Sequence, residues 1–82
     1  MNDERILHAV NEIFRDVLDD EALVIGPATT ARDVREWDSL SHIQLVAAVE
    51  KHFKVRFAAA EIQGFKNVGD MCAAIGKKLP PG

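Results

Sequence analysis

Apolar residues return at spacings of three and four along three stretches of the chain, separated by polar positions, which is the pattern of amphipathic helices. In the first stretch Ile6, Val10, Ile13, Phe14, Val17 and Leu18 share a face, and Asp3 and Glu4 occupy the first turn, where acids favour a helix start. This predicts a helix over 3–18. In the second, Leu40, Ile43, Leu45, Val46, Val49 and Phe53 follow Asp38, a strong capping residue, and predict a helix over 39–53. A third helix begins near Asn67, with Val68, Met71, Cys72, Ile75 and Leu79 on one face. Asn67 caps it, Lys77 and Lys78 suit its negative end, and Pro80-Pro81 stop it. Gly69 and Gly76 each weaken this helix by as much as about 1 kcal/mol relative to alanine. A turn around 59–63 predicts one further, short helix.

The connection over 19–38 is too long for a simple turn, and loops of that length in compact domains are usually functional or disordered. Leu23, Val24, Ile25 and Val34 give it apolar anchors, and Thr30 with Asp33 can cap a short turn, so it is expected to be ordered. The expected fold is all-α: a small antiparallel bundle of three main helices and one short helix, with a long ordered loop between the first two.

The 82 residues suffice for one domain and make only a thin core, which disfavours a deep catalytic cavity built from side chains. Cys72 is the only cysteine, so neither an internal disulfide nor a multi-cysteine metal site is expected, and it reads as a buried core residue. His8 and His52 have no metal-ligand spacing with acids, and no metal is expected. No apolar run approaches the ~20 residues that span a bilayer. The first residues also lack the basic-then-apolar order of a signal peptide, so a cytoplasmic location is expected. The net charge of −3 disfavours nucleic acid as a partner. Residues 19–38 hold six acids and two bases, a balance of −4, against seven acids and eight bases, a balance of +1, elsewhere. A negative field therefore surrounds the approach to Ser39 and favours basic partners there.

The candidate chemistry lies in Trp37-Asp38-Ser39-Leu40-Ser41-His42, where the acidic loop meets a helix start. The first N–H groups of a helix are unpaired and its dipole is positive there, so a phosphate on Ser39 would be stabilised. Aspartate and serine are also ordinary capping residues, and from the residues alone the capping reading carries more weight. Asp38, Ser39 and His42 contain the residue types of a hydrolytic triad. Five consecutive residues at a helix start do not supply its geometry, and no enzyme is expected. His42 reads first as solvated and second as a contact of the phosphate, and Trp37 reads first as a loop anchor and second as a partner contact.

Asp38-Ser39-Leu40, followed by Ile43, Leu45, Val46, Ala48, Val49, Glu50 and Phe53, resembles the attachment segment of acyl and peptidyl carrier proteins. The resemblance continues through Phe57, Ile62, Phe65 and Val68 and covers about 4–79, as one carrier domain within 1–82. It implies that Ser39, flanked by Asp38 and Leu40, accepts 4′-phosphopantetheine from coenzyme A, whose terminal thiol carries acyl groups as thioesters. The implied partners are a phosphopantetheinyl transferase, an acyl-loading ligase or synthase, and downstream acyl-processing enzymes; a monomer is expected. Thr29-Thr30-Ala31 and Trp37 resemble specialised, stand-alone carriers more than the housekeeping fatty-acid type. A fatty-acid, lipid or polyketide pathway is implied, with an aminoacyl or peptidyl carrier and a helical adaptor lacking the arm as alternatives.

The same resemblance places a partner surface on the second helix: Leu40, Ile43 and Ala47, with Ser41, Gln44 and Lys51 around them. Leu40 is expected to be exposed, since a helix cannot bury every apolar residue of its first turn. Housekeeping carriers are acidic along this helix, whereas residues 40–53 contain Glu50 as their one acid. A dedicated set of partners is therefore expected. Phe53, Phe57 and Phe65 are expected in the core, with part of that cluster lining an acyl-chain cleft.

Overall fold

The computed structural model describes residues 3–79, with four helices and no strands among them: α1 (Asp3–Val17), α2 (Ser39–Phe53), α3 (Ala59–Gln63) and α4 (Val68–Lys78). This is the expected small helical bundle. The two prolines expected to stop α4 lie outside the described residues. Each main helix contributes the stripe its sequence spells: Ile6, Val10, Ile13 and Phe14 from α1, Leu45, Val46, Val49 and Phe53 from α2, and Val68, Met71 and Ile75 from α4. α1 packs against both α2 and α4, and Phe14 is wholly buried. The short α3 buries none of its residues completely; Phe57, just before it, completes that end of the core.

Cys72 is half-buried, where a core position was expected. The line Val68–Met71–Ile75 points inward, and Cys72 lies about 100° round the helix from Met71, at the rim beside Leu7 and Pro27. Phe65 is likewise half-buried and packs edge-on against Phe57 with ring centroids 5.3 Å apart.

The long loop is ordered by two kinds of tie. Ile25, Val34 and Trp37 bury their side chains in the core, as their apolar character suggested, while Val24 is 76% exposed. Polar side chains of α1 then fix the backbone. Asn11 accepts from the Ile25 N–H at 2.7 Å and donates to the Leu23 carbonyl at 3.2 Å, and Arg15 Nε donates to that carbonyl at 2.6 Å. Further along, the Val68 N–H donates to the Thr29 carbonyl at 2.9 Å and the Gly69 N–H to the Pro27 carbonyl at 2.8 Å. The loop thereby supplies acceptors for amides that the first turn of α4 leaves unpaired.

That last contact separates the two glycines of α4. A Cβ on Gly69 would lie 2.9 Å from the Pro27 carbonyl oxygen, an atom held by the Gly69 N–H itself. A Cβ on Gly76 would meet nothing nearer than Ile6 Cδ1 at 3.7 Å. Gly69→Ala is therefore expected to destabilise by about 1–3 kcal/mol despite the better helix former. Gly76→Ala is expected to stabilise by about 1 kcal/mol or less. Urea midpoints moving in opposite directions for the two variants would bear this out; a gain for both would show that the loop yields at Pro27.

Candidate functional site

The start of α2 is built by a reciprocal cap. Asp38 takes an extended conformation and its Oδ1 accepts from the Ser41 N–H at 2.9 Å, while Ser41 Oγ accepts from the Asp38 N–H at 2.8 Å. This is a capping box with serine in the position usually held by Glu or Gln. Ser41 Oγ–H also donates to the Glu36 carbonyl at 2.8 Å, which ties the loop to the helix. Ser41 is 7% exposed. It was expected on the partner surface; it belongs to the cap instead, because a short hydroxyl with three backbone groups around it is held inward.

Ser39, the first residue of α2, is exposed, and its hydroxyl makes no hydrogen bond among the described residues. Asp38 and Ser41 already do the capping, so the reading of Ser39 as a mere cap loses its basis. The hydroxyl faces solvent at the positive end of a fifteen-residue helix, beside a groove of about 920 Å³. Ser39, Trp37, His42, Ile43, Ile62 and Phe65 line part of that groove, with Lys66 at its edge.

His42 is half-buried and tied at both ring nitrogens, where a solvated side chain was expected. Trp37 Nε1–H donates to Nδ1 at 3.0 Å, and Nε2 lies 3.0 Å from the Ile62 carbonyl. An indole N–H only donates and a carbonyl only accepts, so both contacts are met together in the tautomer whose Nδ1 accepts and whose Nε2 donates. His42 thus fastens the loop, α2 and α3 to one another. It has no nitrogen left to act on Ser39, and Asp38 faces Ser41 rather than the imidazole. The three residue types of a hydrolytic triad are present without its relay. Trp37 is 4% exposed and packs edge-on against Phe14 at 5.0 Å, the loop anchor expected of it.

The Ser41 N–H holds the Asp38 carboxyl below its ordinary value of 3.8, and the Ala58 N–H, with Lys78 beside it, holds Glu61 below 4.5. A depressed folded value means that the anionic form stabilises the fold. The contribution is complete above the ordinary carboxylate range and fades as pH falls through the lowered values. A shallow loss of stability below about pH 4.5 is expected. Asp38→Asn, which caps without titrating, should flatten part of it in urea melts taken across that range. An unchanged acid limb in that variant would remove Asp38 as a contributor.

Leu40 and Ile43 are 68% and 64% exposed, and Gln44, Ala47 and Lys51 are exposed with them. These positions recur at three and four and form one stripe, opposite the buried line Leu45–Val49–Phe53. Of the six residues expected on the partner surface, Ser41 alone is withdrawn from it.

The profile of the family described as "phosphopantetheine attachment site" matches residues 8–75. An acyl carrier protein of Thermosynechococcus vestitus is 34% identical over 80 residues, which cover 96% of this chain and 98% of that protein. One from Acidothermus cellulolyticus is 33% identical over 70 residues, covering 85% and 83%. The solution NMR structure of a holo acyl carrier protein from Geobacter metallireducens superposes with a TM-score of 0.84 at 45% identity, covering 89% of this chain and 84% of that one. The chain belongs to the phosphopantetheine-attachment family of acyl carrier proteins.

Proposed function

We propose that Ser39 is the attachment residue and that the chain serves a specialised fatty-acid, lipid or polyketide pathway through a dedicated set of enzymes. The observation that carries the first part is the division of labour between two serines. Ser41 is consumed by the cap, and Ser39, two residues earlier, offers an exposed hydroxyl with no structural duty.

As a family member the chain is a carrier and not an enzyme, and its cofactor is covalent 4′-phosphopantetheine. The residues fit that group. Ser39 Oγ is accessible, the helix start favours an attached phosphate, and the neighbouring groove is mostly apolar. When attached, the arm supplies a thiol that holds an acyl group as a thioester. The protein's own residues do the rest: Asp38 and Ser41 fix the first turn of α2, and Trp37 and His42 hold the loop that leads to it. Leu40, Ile43, Gln44, Ala47 and Lys51 form the surface offered to partners. Delivery by a tether raises the effective concentration of the thioester at a docked enzyme. A phosphopantetheinyl transferase and acyl-processing enzymes are the family's partners.

Support for a specialised pathway comes from α2, whose exposed stripe carries no acid. Glu50, the one acid within 40–53, accepts from the Phe57 N–H at 2.8 Å and serves the fold. We read residues 4–79 as one carrier domain, monomeric and cytoplasmic; no helix among the described residues is long and apolar enough to cross a membrane. The test is intact mass after incubation with coenzyme A and a broad-specificity phosphopantetheinyl transferase, followed by fragment mapping. A single addition that maps to Ser39 is expected. An addition elsewhere, or none with several transferases, would overturn the assignment.

A further inference from the structure

The charges along α2 are divided by sign. Ser39 stands at the acidic end, with Glu36 and Asp38 exposed beside it. The stripe of Leu40, Ile43, Gln44 and Ala47 is uncharged. Beyond it Lys51, Lys54 and Arg56 are all exposed, and none is paired with a carboxylate among the described residues. These three bases surround a surface depression of about 470 Å³ whose lining also includes Ala47, Val55 and Glu50. Glu50 turns one carboxylate oxygen to the Phe57 N–H, and the local balance stays positive.

Helix stability accounts for only part of this cluster. A base in the last turn complements the negative end of the helix, which covers Lys51. Lys54 is the C-cap in the left-handed conformation, at φ 58° and ψ 45°, where glycine or asparagine is the favoured residue. Arg56 lies two residues further on, past the helix. Neither position asks for a base on structural grounds. The depression is continuous with the apolar stripe through Ala47 and Lys51, so a partner seated on Leu40 and Ile43 reaches it without a break.

We infer that the acyl-loading or acyl-processing enzyme that reads this face carries an acidic patch, placed to meet Lys51, Lys54 and Arg56 while its arm channel faces Ser39. At 1.5 Å per residue, Lys51 lies about 18 Å along the helix from Ser39, which sets the distance between the patch and the channel mouth. The partner needs an apolar notch near the mouth for Leu40 and Ile43. A polyanion does not fit, since the Ser39 end repels one; the face asks for a protein surface of two signs. Opposite charge at both ends would fix the direction in which α2 lies on the partner and speed its encounter. This inference rests on the assignment of Ser39 as the attachment residue.

The test uses the holo protein, its arm confirmed by mass, and two thioester-forming ligases of known structure. One has Asp and Glu about 18 Å from its arm channel, and the other has Lys and Arg there. The acid-patched ligase is expected to load the carrier with the higher kcat/KM. Lys51→Glu, Lys54→Glu and Arg56→Glu together should lower that value roughly tenfold or more at low salt, and the deficit should shrink near about 0.5 M salt. The neutral set Lys51→Gln, Lys54→Asn and Arg56→Gln should fall between, and covers the case in which the reversed variant melts early. Preference for the base-patched ligase, or equal loading of the parent and both variants by the acid-patched one, would overturn the inference. A parent chain that takes no arm at Ser39 would instead overturn the assignment beneath it.

Discussion

Ser39→Ala is expected to abolish the addition of phosphopantetheine and leave the melting temperature almost where it was, while Ser41→Ala keeps the addition and melts early. The contrast follows from what the two hydroxyls touch. Ser39 Oγ is exposed and makes no hydrogen bond among the described residues, and alanine is a better helix former than serine. A surface change of this kind stays within about 0.5 kcal/mol. Ser41 Oγ accepts from the Asp38 N–H at 2.8 Å and donates to the Glu36 carbonyl at 2.8 Å, with the Ser41 side chain itself buried in the turn. Its removal leaves both backbone groups without partners and costs about 1–3 kcal/mol, a fall of roughly 5–15 °C for a domain of this size. Intact mass and a thermal melt, run on both variants beside the parent, read the two effects separately. An early melt for Ser39→Ala would mean that its hydroxyl supports the helix start after all. Unchanged stability in Ser41→Ala would mean that Asp38 alone suffices as the cap.

The same pair of serines shows where reading the sequence stops. Helix α2 was legible to its last residue, because Asp38 marks the cap and the apolar positions from Leu45 to Phe53 leave one inward face. Helix α1 was legible to within one residue, ending at Val17 where the pattern ran on to Leu18. Ser41 was misplaced because its partners are backbone groups of the loop, and a loop's path is not written in a periodicity. His42 was misread for a related reason: Trp37 lies five residues before it and Ile62 twenty after, and only the assembled fold brings both to one ring. Asn11 and Arg15 lie outside the apolar stripe by which α1 was recognised. They turned out to hold the Leu23–Ile25 backbone, which no spacing announces. Gly69 looked like a weak point of α4, and its lack of a side chain is what admits the Pro27 carbonyl. Ser39 was not separable from an ordinary cap by its own residues, since aspartate and serine both favour a helix start; the resemblance of the segment from Asp38 to Phe53 is what pointed to attachment there.

Trp37→Ala is expected to destabilise the protein by about 3–5 kcal/mol, against a total stability of about 4–12 kcal/mol for a chain of this length. The indole is 4% exposed, lies edge-on to Phe14 and stacks near His42, with ring centroids 5.9 Å apart. Alanine leaves a cavity at the junction of α1, α2 and the loop, and it also strips His42 Nδ1 of its donor. A fall in melting temperature of roughly 15 °C or more should follow. Trp37→Phe separates the two losses. It keeps an aromatic ring in the site and much of the buried area while removing the N–H and the smaller part of the indole, so it should cost less than alanine, about 1–3 kcal/mol. In that variant the His42 proton should stay on Nε2, because the Ile62 carbonyl still accepts it at the other end of the ring. Ring-nitrogen NMR distinguishes the two tautomers directly. If Trp37→Ala melts with the parent, the loop is held by Ile25, Val34 and the Asn11 and Arg15 ties alone, and Trp37 is a passenger. If both variants fall as expected, the last turn before Ser39 owes its position to an aromatic anchor buried beneath it. Ser39 then stays exposed because the residue two places earlier is not.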